Sequence, residues 1–278
     1  MNELNITDEE IEEYLREDAP FGDITSAALF SGNRYAKAYV HCKEACVVAG
    51  TDEAKRIFEH LGCNVTLQYK DGETVDKFRK VLFVAGDATK ILLGERLALN
   101  FLMRMSGIAT MTAELVKMAI EVNPEVRIAA TRKTTPGFRK FEKKAVIIGG
   151  GDPHRFSLSD AVLIKENHIA VIGDLEEAVK LAKKASFTKK IEVEVRTIDD
   201  AVICAKLGVD IIMLDNFKIS DAEEAYKKIK EINSRILVEV SGGINKSNIK
   251  KYAKCCDVIS AGALTHSARA IDFSLEVV

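Results

Sequence analysis

The sequence predicts an α/β fold in two parts: a small antiparallel sheet with helices on one side, then a closed or nearly closed parallel β/α barrel. Two patterns carry this. Between Tyr35 and about Ala88, short β-like runs follow one another with only one helical stretch among them. After Pro124, short β-branched runs alternate with amphipathic stretches, as in a parallel sheet covered on its outside. The tight repetition favours a barrel over an open doubly wound sheet, although six clear strands do not complete a standard barrel.

The elements can be justified in order. TDEEIEEYLRE opens with Thr7 and has Glu10 at capping-box spacing, so residues 7–17 read as a helix, broken by Pro20 and Gly22. YAKAYVHC, ACVVAG, NVTLQYK and VLFVAG read as strands, with the turn Asp71-Gly72 among them and DEAKRIFEHLG as the interrupting helix. A long helical segment runs from Thr89 to the small-residue break SGIAT and continues to Glu121. The barrel strands are VRIAAT, AVLIKE, KIEVEV, DIIMLDN, RILVEVSG and DVISAG. DLEEAVKLAKKA, TIDDAVICAKLG, DAEEAYKKIKEI and NKSNIKKYAKC are helix-like connections between them.

Composition excludes several classes of function. The 278 residues are 47% hydrophobic and 29% charged, ordinary for a globular protein able to bury a large core. No apolar run approaches the roughly 20 residues needed to span a bilayer, and the acidic N-terminus lacks signal-peptide character. A cytoplasmic protein with no membrane partner is expected. A formal net charge of −2 argues against general nucleic-acid binding. The six cysteines show no CxxC pair and no zinc-finger spacing, so they read as reduced, buried thiols.

The stretch TRKTTPGFRK nevertheless gathers Arg132, Lys133, Arg139 and Lys140 just after a strand. Other polar signals also fall at strand ends: Lys165, Glu194, Asp215, Ser241-Gly242-Gly243 and Ser260-Ala261-Gly262. In a parallel barrel these ends emerge on one face, where active sites are built. Lys165 interrupts an apolar strand and must find an anion or a wet cavity. Glu194 alternates with valines, so that either it or Glu192 faces out. Asp215 serves a site or caps the next turn, and His154-Arg155 forms a site or an exposed loop. His168 likewise either joins a site or closes a turn. SGGIN and SAGAL each end a strand before a helix-like stretch, where backbone N–H groups can hold a phosphate that glycine lets approach.

The block TRKTTPGFRKFEKKAVIIGGGDPHRFSLSDAVLIKENH resembles the signature of quinolinate phosphoribosyltransferases, the carboxylating nicotinate-nucleotide pyrophosphorylases. FGDIT, ERLALNFLMRMSGIAT, IEVEV, LDN, EVSGGI and ISAGALTHSA fit in the same order, across nearly the whole chain. One departure is Pro153 before His154. The resemblance implies an N-terminal α/β sandwich (residues 1–106) and an incomplete β/α barrel (107–278), the last residues packing on the first domain. It implies transfer of phosphoribosyl from phosphoribosyl pyrophosphate to quinolinate with decarboxylation, in NAD synthesis, with Mg2+. It also implies a homodimer or higher homo-oligomer with shared active sites.

By the same resemblance, Arg132, His154 and Arg155 hold the two carboxylates, Arg96 coming from the neighbouring subunit. Thr131 belongs to the same substrate-binding set. Lys133 and Lys165 face the anionic substrates, the pyrophosphate above all. Glu194 and Asp215 bind the ribose hydroxyls, directly or through Mg2+. Ser241, Gly242 and Gly243, with Gly262, Ala263 and Leu264, hold the 5-phosphate. The residue types suit dianionic and phosphorylated substrates, since guanidinium forks bind carboxylates bidentately and Mg2+ takes oxygen ligands. Two alternatives within enzyme chemistry are a molybdate-transport-associated paralogue with another anionic substrate and a Schiff-base aldolase using Lys165. A non-enzymatic phosphate sensor is the third alternative.

Overall fold

A computed structural model of the chain describes residues 4–32, 34–185 and 187–278. It begins with α1 (Asp8–Asp18), α2 (Ile24–Leu29), β1 (Tyr35–Cys42) and β2 (Cys46–Val47). Next come α3 (Thr51–His60), β3 (Asn64–Leu67), β4 (Thr74–Val75), β5 (Lys80–Asp87) and the long α4 (Ala88–Ile120). The alternating part runs β6 (Arg127–Ala129), α5 (Arg139–Ile148), β7 (Val162–Ile164), α6 (Glu166–Ile172) and α7 (Leu175–Ala185). It continues with β8 (Ile191–Val195), α8 (Ile198–Leu207), β9 (Ile211–Asp215), α9 (Ile219–Ile232) and β10 (Leu237–Ser241). α10 (Ile249–Tyr252), β11 (Val258–Ser260), α11 (Ala263–His266) and β12 (Phe273–Val277) complete the chain.

Two compact units form, one from 1–113, 140–150 and 268–278, the other from 114–139 and 151–267. Their division falls at 113/114, where the sequence places it at 106/107, and α5 largely joins the first unit.

In the first unit β12, β1, β5 and β3 form an antiparallel sheet in that order. The Thr7 hydroxyl and the Glu10 carboxylate each accept the other residue's backbone N–H, closing the expected capping box of α1. α3 buries Ile57 and Phe58 completely, and Phe101 of α4 meets Phe141 of α5 edge to face at 4.8 Å. α4 is continuous, so the expected break at SGIAT does not occur. Its small residues serve close approach instead. A Cβ on Gly107 would lie 2.1 Å from the Arg269 carbonyl oxygen, and the Ser106 hydroxyl donates to the Ala49 carbonyl.

The second unit is built on a six-stranded parallel sheet, ordered β6-β11-β10-β9-β8-β7. β6 and β7 are its end strands; beyond β6 only Asp152 adds a parallel bridge, at Ala129, and no further strand closes the sheet among the described residues, so the barrel is incomplete. The strands are nearly continuous runs of buried aliphatic residues, as expected for a sheet covered on both faces. All their C-terminal ends lie on one side because the strands are parallel. Among the described residues, no helix is long and apolar enough to cross a membrane. All six cysteines are buried and free.

Candidate active site

Side chains two apart on a strand share a face. Leu163 and Lys165 at β7, Met213 and Asp215 on β9, and Glu239 and Ser241 on β10 are therefore inward pairs lining one cavity of about 550 Å³. Ladder register sets Glu194 beside Met213, Met213 beside Glu239, and Asp215 beside Ser241, itself beside Ser260. The expectation that either Glu192 or Glu194 faces outward fails for the same reason: both point inward. Glu192 is 1% exposed, and Glu194 lines the cavity.

The cavity also takes Thr131, Arg132, Lys133, His154 and Arg155 from the segments after β6. Arg132 is half-buried, and its Nε is fully buried without a hydrogen-bond partner. A desolvated guanidinium N–H is costly until an acceptor meets it, which suits an anionic ligand. Arg155 is 7% exposed and donates to the Ala161 carbonyl at 3.4 Å. Burial, then repulsion from Arg132, pulls its pKa below the ordinary guanidinium value, while Glu192 and Asp160 oppose this.

His154 adopts a left-handed backbone (φ 54°), and its N–H donates to Asp152 Oδ1 at 2.6 Å. Its Nε2 lies 3.0 Å from Glu192 Oε2 and 3.9 Å from Glu239 Oε2. Both glutamates are nearly completely buried, and each has an Oε1 without a partner. Burial first, then the neighbouring Glu192, pushes the Glu239 carboxyl up to about 7, with His154 opposing. His154 Nε2 and one carboxylate oxygen each of Glu192 and Glu239 thus lie within 4.8 Å of one another, a group that could hold a metal ion.

Lys165 forms an ion pair with Glu194. Asp215 Oδ2 accepts from Asn216 Nδ2 at 2.8 Å and lies 3.9 Å from Arg196 Nε. One oxygen of each carboxylate stays available, so Glu194 and Asp215 fit a hard cation such as Mg2+. Gly242 and Gly243 have φ of 99° and 63°, conformations that favour glycine.

The structure does not bring every expected residue here. Arg139 donates to the Thr134 hydroxyl and the Phe156 carbonyl, and Lys140 pairs with Glu10, so the cations of TRKTTPGFRK divide: only Arg132 and Lys133 line the cavity. Arg96 is exposed on α4 in the first unit and is not among the lining residues. Gly262, Ala263 and Leu264 do not line it either, and Leu264 is fully buried, while Ser260 does. His168 Nδ1 accepts the Lys165 N–H at 2.9 Å, closing the first turn of α6. Glu192, Glu239 and Asn216 stand outside the site residues expected from the sequence, whereas Ser260, one of the expected strand-end signals, does line the cavity. The period-two pattern through Glu194, Asp215 and Ser241 was the signal for the two glutamates.

Comparison with known proteins bears on this arrangement. The family model for the N-terminal domain of quinolinate phosphoribosyl transferase matches residues 23–106, and that for its C-terminal domain matches 108–276. A protein of Archaeoglobus fulgidus named as a probable carboxylating nicotinate-nucleotide pyrophosphorylase is 48% identical over 93% of this chain and 99% of its own. The human carboxylating nicotinate-nucleotide pyrophosphorylase is 39% identical over 96% of this chain and 90% of its own. The crystal structure of NadC from Streptococcus pyogenes superposes with a TM-score of 0.92 at 39% identity, covering 99% of this chain and 98% of that one.

Proposed function

Because the chain belongs to the quinolinate phosphoribosyltransferase family, we propose that it transfers phosphoribosyl from phosphoribosyl pyrophosphate to quinolinate with decarboxylation. The products are nicotinate mononucleotide, pyrophosphate and CO2, in de novo NAD biosynthesis. The observation that carries this reading is the lining of one cavity, where Arg132, His154 and Arg155 stand together with Lys165, Glu194 and Asp215 of the strand ends.

Quinolinate carries two carboxylates. Arg132 and Arg155 offer them charged N–H donors, with His154 held beside them by Glu192. Glu194 and Asp215 accept from the ribose hydroxyls, and the Ser241–Gly243 turn receives the 5-phosphate. Mg2+ held by these carboxylates, directly or through water, and by the donor's phosphates would neutralise charge on the departing pyrophosphate. Lys133 and Lys165 stabilise the same leaving group from the protein side. As the C1–O bond to pyrophosphate breaks, C1 gains oxocarbenium character and the quinolinate nitrogen donates its lone pair to form the new C–N bond. The ring is then cationic, so the electron pair left at C2 when CO2 departs is stabilised until a proton takes it. The chain's contribution is positioning and electrostatics.

The proposal includes a cytoplasmic setting and a homo-oligomer in which Arg96 of one copy serves the other's cavity. The aldolase alternative finds no support, because Lys165 is engaged by Glu194 rather than presented in an apolar pocket.

Calorimetric titration with quinolinate tests the acceptor site. Arg132→Ala should weaken quinolinate binding about 100-fold, as expected for losing a charged, bidentate partner, with the melting temperature retained. Unchanged affinity in a folded variant would refute the role of Arg132.

A further inference from the structure

We infer that Asn216 is a positioning residue for the phosphoribosyl donor, tying the Asp215 carboxylate to the Gly242 turn so that both keep one register. The inference rests on the reading above, in which these two elements bind the ribose and the 5-phosphate.

Three features converge on this side chain. Asn216 follows β9 in a left-handed conformation (φ 56°), which asparagine tolerates better than other residues bearing a side chain. Its backbone N–H donates to the Ser241 carbonyl at 2.9 Å, joining the end of β9 to the end of β10 beyond the Asp215–Ser241 register pair. That bend turns the side-chain amide back between the two strand ends. Its Nδ2 donates to Asp215 Oδ2 at 2.8 Å. Its Oδ1 lies 2.3 Å, and its Cγ 2.6 Å, from where a Cβ on Gly242 would sit.

The amide therefore has one productive orientation. Reversed, it would set its oxygen against the Asp215 carboxylate and lose the hydrogen bond. The same contact explains why residue 242 is glycine: any side chain there would displace Asn216, and the φ of 99° is itself unfavourable for other residues. Asp215 is thus fixed by a neighbour that the phosphate-side turn holds in place. A ligand spanning both elements gains from their register, whereas one bound only by Arg132, His154 and Arg155 does not.

Two variants separate the parts of this argument. Asn216→Gly keeps the left-handed backbone and removes the amide. Asn216→Asp keeps the shape and replaces the donor with a charge facing Asp215. For each, calorimetry would measure ribose 5-phosphate and quinolinate binding separately, with steady-state KM for phosphoribosyl pyrophosphate and quinolinate alongside.

Asn216→Gly should weaken ribose 5-phosphate binding and raise the donor KM about tenfold, the size of one hydrogen bond to a charged group, and Asn216→Asp should do more. Quinolinate constants and the melting temperature should stay near those of the unaltered protein. Donor constants unchanged in both variants would overturn the inference. So would donor and acceptor constants worsening together with the melting temperature, or no ribose 5-phosphate binding by the unaltered protein. Ribose 5-phosphate binding that depends on Asn216, in a protein that does not turn over quinolinate, would refute the functional reading and leave the positioning role standing.

Discussion

Glu239 is a carboxyl group whose place in the fold sets a pH dependence. Burial, then the adjacent Glu192, raises it from the ordinary glutamate value of 4.5 to about 7. Between those values the folded chain binds more protons at this site than the unfolded chain, so stability falls as pH rises through the window and levels off above it. Glu239→Gln removes the ionisation and keeps the shape. It should raise the melting temperature at pH 8, by up to the equivalent of about 3 kcal/mol, and change it little at pH 5. Thermal melts at both pH values check this; an equal effect at both would contradict it. Such residues were legible only in part. Lys165, Glu194 and Asp215 announce themselves because a charge stands in an apolar strand. Glu192 and Glu239 carry the same mark one pleat below, but their partner His154 comes from a segment distant in sequence.

At the scale of elements, α5 shows why charge content misleads. RKFEKKAVII looks like a solvated surface helix, yet Glu142, Lys143 and Lys144 are buried. Glu142 and Lys144 have ion-pair partners on other helices. Arg104 of α4 donates to Glu142 Oε1 at 2.7 Å, and Lys144 Nζ lies 2.7 Å from Glu53 Oε1 of α3. Asp71, 4.0 Å from Lys144, adds a second acid, and burial raises both Glu53 and Asp71. Lys144→Ala would leave these acids buried without their cation. It should cost about 3–5 kcal/mol of unfolding free energy in urea titrations; a loss below about 1 kcal/mol would mean the acids are satisfied in another way. The capping box at Thr7 and the six parallel strands were readable because caps and apolar periodicity are local signals. The continuity of α4 was not, because Ser106 and Gly107 serve contacts with segments far away in sequence.

For the molecule as a whole, a chain with net charge −2 can serve strongly anionic substrates because its cations are placed, not numerous. Parallel strands force their C-terminal ends onto one face, so the sequence pattern alone could bring most of the site together. The compact units were harder to read at 140–150, which returns to the first unit after the chain has left it, whereas the return of 268–278 matches the packing that the family resemblance implied for the last residues. β12 does so by pairing with β1. The most direct test of the account is turnover of quinolinate labelled in its 2-carboxylate, with phosphoribosyl pyrophosphate and Mg2+, beside nicotinate and nicotinamide as competing acceptors. The account predicts labelled CO2 and nicotinate mononucleotide in equal amounts from quinolinate, and no nucleotide from the other two. Folded protein that releases no label, or that uses nicotinate equally well, would contradict it.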